Sequence, residues 1–209
     1  MTTRIAAIVA LAACGSGAKA PPVVAPAPRP QPQVDPSLLA APAAFERIPE
    51  RAQRSRALFA EMSKVLQHPR CVNCHTPDEA PRQGDAHELH DPPVVRGSGD
   101  RGVVGMQCQT CHQDHNLELA RVPGAPGWHL APVAMVWLDR TPHDICEQVK
   151  DRTRNGDRSL AEIQEHMAKD RLVGWAWAPG WGRTPAPGTQ AQLGALATAW
   201  IDSGAECPP

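Results

Sequence analysis

Cys71-Val72-Asn73-Cys74-His75 and Cys108-Gln109-Thr110-Cys111-His112 are two copies of one five-residue pattern. Each puts two residues between a pair of thiols and an imidazole directly after the second thiol. This C-x-x-C-H spacing is the attachment signature of c-type haem. Thiols so spaced reach the two vinyl groups on one porphyrin edge, and the next residue brings its imidazole under the iron as proximal ligand. The pattern predicts two haems c, attached at Cys71, Cys74, Cys108 and Cys111, with His75 and His112 as iron ligands.

Three other uses of these cysteines compete. A dithiol redox motif expects a βαβ context and has no need of the His. A four-thiolate zinc ribbon expects about 15–20 residues between its pairs; here 33 residues separate Cys74 from Cys108. Structural disulfides are common in exported domains. The recurrence of the whole pattern, behind an export signal, favours haem.

The composition agrees. Tyr is absent, Phe occurs twice and aromatic residues are 4% of the 209, a thin supply of large core side chains that two macrocycles would supplement. The 23 prolines enforce irregular stretches. The expected fold class is mostly α with much irregular loop and little sheet, a small multihaem cytochrome c-like domain built around two haems. A net charge of −1 gives no reason to expect nucleic acid and no strong field to steer a partner.

Three regions follow from a pass along the chain. Residues 1–13 read as a signal peptide: Arg4 supplies the positive end and Ile5 to Ala13 the apolar run. That run is far shorter than the roughly 20 residues a spanning helix needs. Leu11-Ala12-Ala13-Cys14-Gly15 resembles the bacterial lipobox, which implies lipidation at Cys14; the rival is ordinary cleavage near Ala18 or Ala20. Gly15 and Ser16 after the Cys, by analogy with enterobacterial lipoproteins, favour the outer membrane. Residues 14–43 hold the run Pro26-Ala27-Pro28-Arg29-Pro30-Gln31-Pro32 and read as a disordered, semi-rigid tether. The folded domain is assigned to 44–209, starting near Phe45. The expected location is periplasmic, on a lipid anchor.

Within the domain, Leu58, Met62, Val65 and Leu66 predict a helix over 50–67, stopped by Pro69, that delivers the first motif. Met62 reads as core. Residues 76–107 read as loop, broken by Pro77, Pro81, Pro92 and Pro93. Thr141-Pro142-His143-Asp144 starts a helix expected to run to Arg154 and stop at Asn155-Gly156. Ser159-Leu160-Ala161-Glu162 is a capping box for the next helix, with Leu160, Ile163 and Met167 on its apolar face. Thr189 caps a last helix carrying Leu193, Leu196, Ala197, Trp200 and Ile201. Cys146 and Cys207 lie outside the motifs; an oxidising compartment would let them pair, the alternative being two buried thiols.

Distal iron ligands are sought among the remaining histidines. His87 and His90 lie 12 and 15 residues after His75, on a loop long enough to fold back over the first haem; His90, stiffened by Asp91-Pro92-Pro93, is preferred. His129 lies 17 residues after His112 and repeats that spacing at the second motif; the alternative is a Trp/Pro corner with His129 bonded to a carbonyl. His166 falls at the edge of an apolar helix face. Met135 is the leading candidate that is not His. Trp128, Trp137 and the group Trp175, Trp177 and Trp181 are candidates to cover haem faces.

The chain also resembles bacterial proteins that carry a P-G-A-P-x-W-H-L-A-P block after two C-x-x-C-H motifs. These are identified as subunits associated with isoquinoline 1-oxidoreductase, a molybdenum hydroxylase. The matching residues are the two motifs, Pro123 to Pro132, Lys150-Asp151, Asn155-Gly156, Trp175 to Pro179 and Gly204 to Pro208, within roughly 58–208. The resemblance implies electron transfer to or from a partner enzyme such as a dehydrogenase or molybdenum hydroxylase. It does not imply that this chain oxidises isoquinoline, and no residue here resembles a molybdopterin or flavin site. The rival is a dihaem enzyme, such as a peroxidase, with one open iron site.

Overall fold

A computed structural model describes residues 39–209. The assigned signal peptide, Cys14 and the tether as far as residue 38 lie outside the described residues. The architecture is mostly helical with long irregular connections, and among the described residues the strands are confined to two short hairpins.

The first long helix, α1 (Arg51–Leu66), starts where Glu50 accepts from the Ala52 and Gln53 amides. Leu58, Phe59, Met62, Val65 and Leu66 recur every three or four residues and are buried. Each such side chain contributes about 1.5–3 kcal/mol on burial. Met62 is fully buried core, as its stripe predicts. After a break at Gln67 and His68, α2 (Pro69–Val72) begins with Pro at a first-turn position, where its missing N–H is harmless.

Residues 76–107 make two antiparallel hairpins of two-residue strands, β1 (Arg82–Gln83) with β2 (Glu88–Leu89) and β3 (Gly102–Val103) with β4 (Met106–Gln107). The second leads directly into α3 (Cys108–Cys111). An irregular segment then runs to α4 (Pro142–Lys150), where Thr141 and Asp144 form a capping box. The helix ends four residues before the expected Arg154. Asp151 leaves helical geometry at ψ 105° and its carboxylate accepts from the Thr153 amide and hydroxyl. Asn155 is buried and donates to the carbonyls of Val149 and Arg158, so Asn155-Gly156 closes a separate turn after the helix.

A second capping box, Ser159 with Glu162, opens α5 (Leu160–Lys169). Asp170 then caps α6 (Arg171–Gly174), a single further turn of helix. Thr189 caps α7 (Gln190–Asp202), the hub of the core, which packs against both α1 and α5. Gly194 allows the close approach to α5: a Cβ there would fall 2.5 Å from that of Ala168. Trp200 is fully buried, its ring 5.0 Å from Phe59 and its indole N–H donating to the Glu206 carbonyl. Cys146 and Cys207 form a disulfide that ties the C-terminal tail to α4. Leu39, ahead of the expected Phe45, already belongs to the core: its side chain is buried, and the next amide donates to Glu61.

Candidate functional site

Both C-x-x-C-H motifs fold as one helical turn. The His75 amide donates to Cys71 O at 3.2 Å, and the His112 amide to Cys108 O at 2.9 Å. Such a turn presents the two thiols and the imidazole from one short stretch of backbone.

The two histidines are held alike. His75 Nδ1 donates to Met135 O at 3.0 Å, and its ring lies flat on Trp137, centroids 3.4 Å apart and planes 5° from parallel. His112 Nδ1 donates to Pro123 O at 2.8 Å, and its ring lies on Trp128 at 4.5 Å and 10°. A carbonyl only accepts, so in each ring Nδ1 carries the proton and Nε2 keeps its lone pair. Metal-bound histidines are oriented in this way. Burial holds both imidazoles below the usual range, His75 at about 3, so both are neutral donors at physiological pH. The sequence marked Trp128 and Trp137 as covers for haem faces; in the structure each stacks on a motif histidine.

The motif cysteines are free thiols. Burial pushes Cys71 to about 12 and Cys74 to about 11, and raises Cys108 as well. A dithiol redox motif needs a depressed thiol pKa, so these shifts run against that reading. Among the described residues no group of three or more His, Cys, Asp or Glu side chains is arranged to hold a metal ion. A zinc cage would need four such donors from the chain. Haem iron takes its equatorial ligands from the porphyrin and needs only axial ones.

A pocket with about 1000 Å³ of empty space, its open mouth included, is lined by Cys71, Cys74, His75, Trp128, Met135, Trp137 and other side chains. Two donors on this lining, Arg70 Nε and Trp137 Nε1, are buried without a partner. An orphaned buried donor costs about 1–3 kcal/mol, so the lining suits a ligand that brings acceptor atoms. Haem, with two carboxylates on an apolar ring, is such a ligand. The second motif is more open: Cys111 is exposed and Cys108 half-buried. The hairpin leading into it leaves Val103, Val104 and Met106 exposed.

The candidate distal ligands fall into two places, reversed from the spacing argument. His90 is not at the first motif. Its ring stands edge-on to His112 with centroids 5.7 Å apart, and its Nδ1 donates to Pro92 O. His129 and His166 line the pocket of the first motif with Met135. The reason is long-range pairing. Strand pairing folds the 76–107 loop into hairpins, the first of them held to the motif by the Arg82 amide on Asn73 O, while the Ala131 amide on Cys74 O draws the His129 segment to the first motif. His129 Nδ1 bonds Gly127 O, as the Trp/Pro-corner reading expects. His87 bonds Asn73 Oδ1 and serves the first motif's backbone turn. His166 Nδ1 bonds Asp170 Oδ2 at 3.0 Å, which with other hydrogen bonds holds that carboxyl at about 2. Met135 is buried, and it supplies the carbonyl behind His75.

Sequence reading passed over Asp170, Pro123 and the Met135 carbonyl. The i, i+4 spacing of His166 and Asp170 was a visible signal. The two carbonyls had none, because every residue carries one.

His68, the N-cap of α2, accepts from the Arg70 amide, and burial pushes its pKa to about 4. Its folded pKa lies below the unfolded value of about 6.5, so the unfolded chain binds the proton more readily in that window. The neutral cap therefore stabilises fully above pH 6.5, and its contribution declines as pH falls towards 4. His68→Asn keeps a capping oxygen that does not titrate. Its unfolding free energy is expected to fall less steeply than wild type between pH 6.5 and 4, and equal slopes would refute this role.

No helix among the described residues is long and apolar enough to cross a membrane. No family model matches the chain, and neither does any curated protein or any solved structure.

Proposed function

We propose that the chain carries two c-type haems and serves electron transfer. The observation that carries this reading is the duplicated motif with duplicated support: each C-x-x-C-H turn ends in a neutral His with Nδ1 on a carbonyl and its ring on a Trp. Cys71 and Cys74, and Cys108 and Cys111, would form the thioethers, and His75 and His112 would bind iron through Nε2. Bound haem supplies an iron that cycles between ferric and ferrous states.

The chain's own contribution is to hold and tune. The carbonyls of Met135 and Pro123 fix each ring and raise its basicity. Trp137 and Trp128 prevent ring rotation. Arg70 and Trp137 offer donors to a bound carboxylate, and Leu66, Val149, Ile163 and Leu193 give the first site apolar walls. Nothing in this arrangement requires a bond to substrate. The partner would be a redox protein, such as a dehydrogenase or molybdenum hydroxylase, met in the periplasm by a chain anchored through Cys14.

Haem retained after denaturation tests the reading. Protein matured in a periplasm competent for cytochrome c assembly is expected to keep two haems per chain. Cys71→Ser/Cys74→Ser and Cys108→Ser/Cys111→Ser should each keep one, and the quadruple variant none. A wild-type chain that retains no haem would return the four thiols to other roles.

A further inference from the structure

We propose that the distal ligands cross over between the motifs: His90, from the loop after the first motif, completes the iron held by His112, and His166 completes the iron held by His75. The inference rests on the haem reading and goes beyond it, because chain order argues the opposite for His90.

The second site carries the plainer geometry. The rings of His90 and His112 stand edge to face with centroids 5.7 Å apart. Two imidazoles that bind one metal at about 2 Å each stand with ring centres roughly 6 Å apart. Both rings spend Nδ1 on a carbonyl, His90 on Pro92 O and His112 on Pro123 O, which leaves both Nε2 atoms free to bind. His90 follows β2, whose pairing with β1 fixes where the loop leaves the first motif, and its own amide donates to Pro81 O. Its placement at His112 is therefore part of the hairpin fold.

At the first site two imidazoles share the pocket with His75. His166 has the support of a metal ligand. It sits on α5, a capped helix packed against α7, and its Nδ1 is bound by the Asp170 carboxylate. A carboxylate on the far nitrogen orients an imidazole and strengthens its lone pair. His129 has only a carbonyl on Nδ1, that of Gly127, where His166 has a carboxylate. Met135 is engaged through its carbonyl on the proximal side of His75.

Spin state in the haem-loaded full chain tests the crossing. Wild type is expected to be low-spin at both irons. His90→Ala should convert half of the ferric low-spin signal to high-spin, and added imidazole should restore it. In the Cys71→Ser/Cys74→Ser background, which keeps only the second haem, the same change should convert all of the signal; in the Cys108→Ser/Cys111→Ser background it should convert none. His166→Ala should give the reverse pattern. Should His90→Ala fail to fold, His90→Met retains a ligand and should give a His/Met haem of raised potential at the second motif alone.

Loss of the low-spin signal at the first haem in His90→Ala, or no change at either, would overturn the crossing. Sensitivity of the first haem to His129→Ala and not to His166→Ala would overturn its half of the assignment. In every one of these outcomes the covalent count stays at two haems per chain with all four motif cysteines in place, and at one in each double Cys→Ser background. Failure of the haem reading itself would appear as a count of zero, and would remove the inference with it.

Discussion

Cys207→Ser is expected to lower the unfolding free energy by about 4 kcal/mol. The disulfide joins Cys146 to Cys207 across a sequence separation of 61. In the chain-entropy account, a closed loop of that size removes about 4 kcal/mol of freedom from the unfolded state. The folded state would lose little, because other bonds pin the tail. The Glu206 amide donates to Ser55 Oγ, the Trp200 indole to Glu206 O, and His143 Nδ1 to Pro208 O. The tail should therefore stay docked in the variant while the midpoint of unfolding falls. Urea unfolding of wild type and variant, both loaded with haem, measures the difference. Equal stabilities would show that the unfolded chain is already constrained by other means.

Gly124→Ala is expected to destabilise the His112 site selectively, at a cost of about 1–3 kcal/mol for overpacking against rigid backbone. A Cβ on Gly124 would strike the carbonyl oxygens of Gln113 and His115. Those oxygens belong to the chain just after the second motif and cannot swing aside as a side-chain end can. The neighbouring Pro123 carbonyl holds His112, and the Gly124 amide is bound by Asn116 Oδ1, which also accepts from Trp175. Any shift that relieves the clash moves the carbonyl that orients the imidazole. In the haem-loaded protein the second haem should lose its wild-type spectrum while the first keeps its own. Unchanged spectra at both would show that the 113–124 turn can relax without moving Pro123.

Much of the fold was legible because its signals are local. The stripe from Leu58 to Leu66, the capping boxes at Thr141 and Ser159 and the cap at Thr189 each act within one or two turns of backbone. The stripe lies within α1, and α4, α5 and α7 start where their caps place them. The end of α4 was misplaced because two stop signals stand close together. Asp151, by turning its carboxylate to Thr153, acts before Asn155-Gly156 does.

The site divides in the same way. The sequence by itself determined the two thiol pairs, the two histidines after them and the helical turn that presents each set, since all of that chemistry fits within five residues. It also limited the further imidazoles to a few. Only the tertiary structure decided which imidazole stands by which motif, that Trp137 and Trp128 stack on the motif histidines, and that Cys146 meets Cys207. Those outcomes depend on hairpin pairing and on amide–carbonyl bonds between distant segments, such as Ala131 to Cys74. Backbone amides and carbonyls are the same at every residue, so such bonds leave no mark in the sequence until the chain has folded.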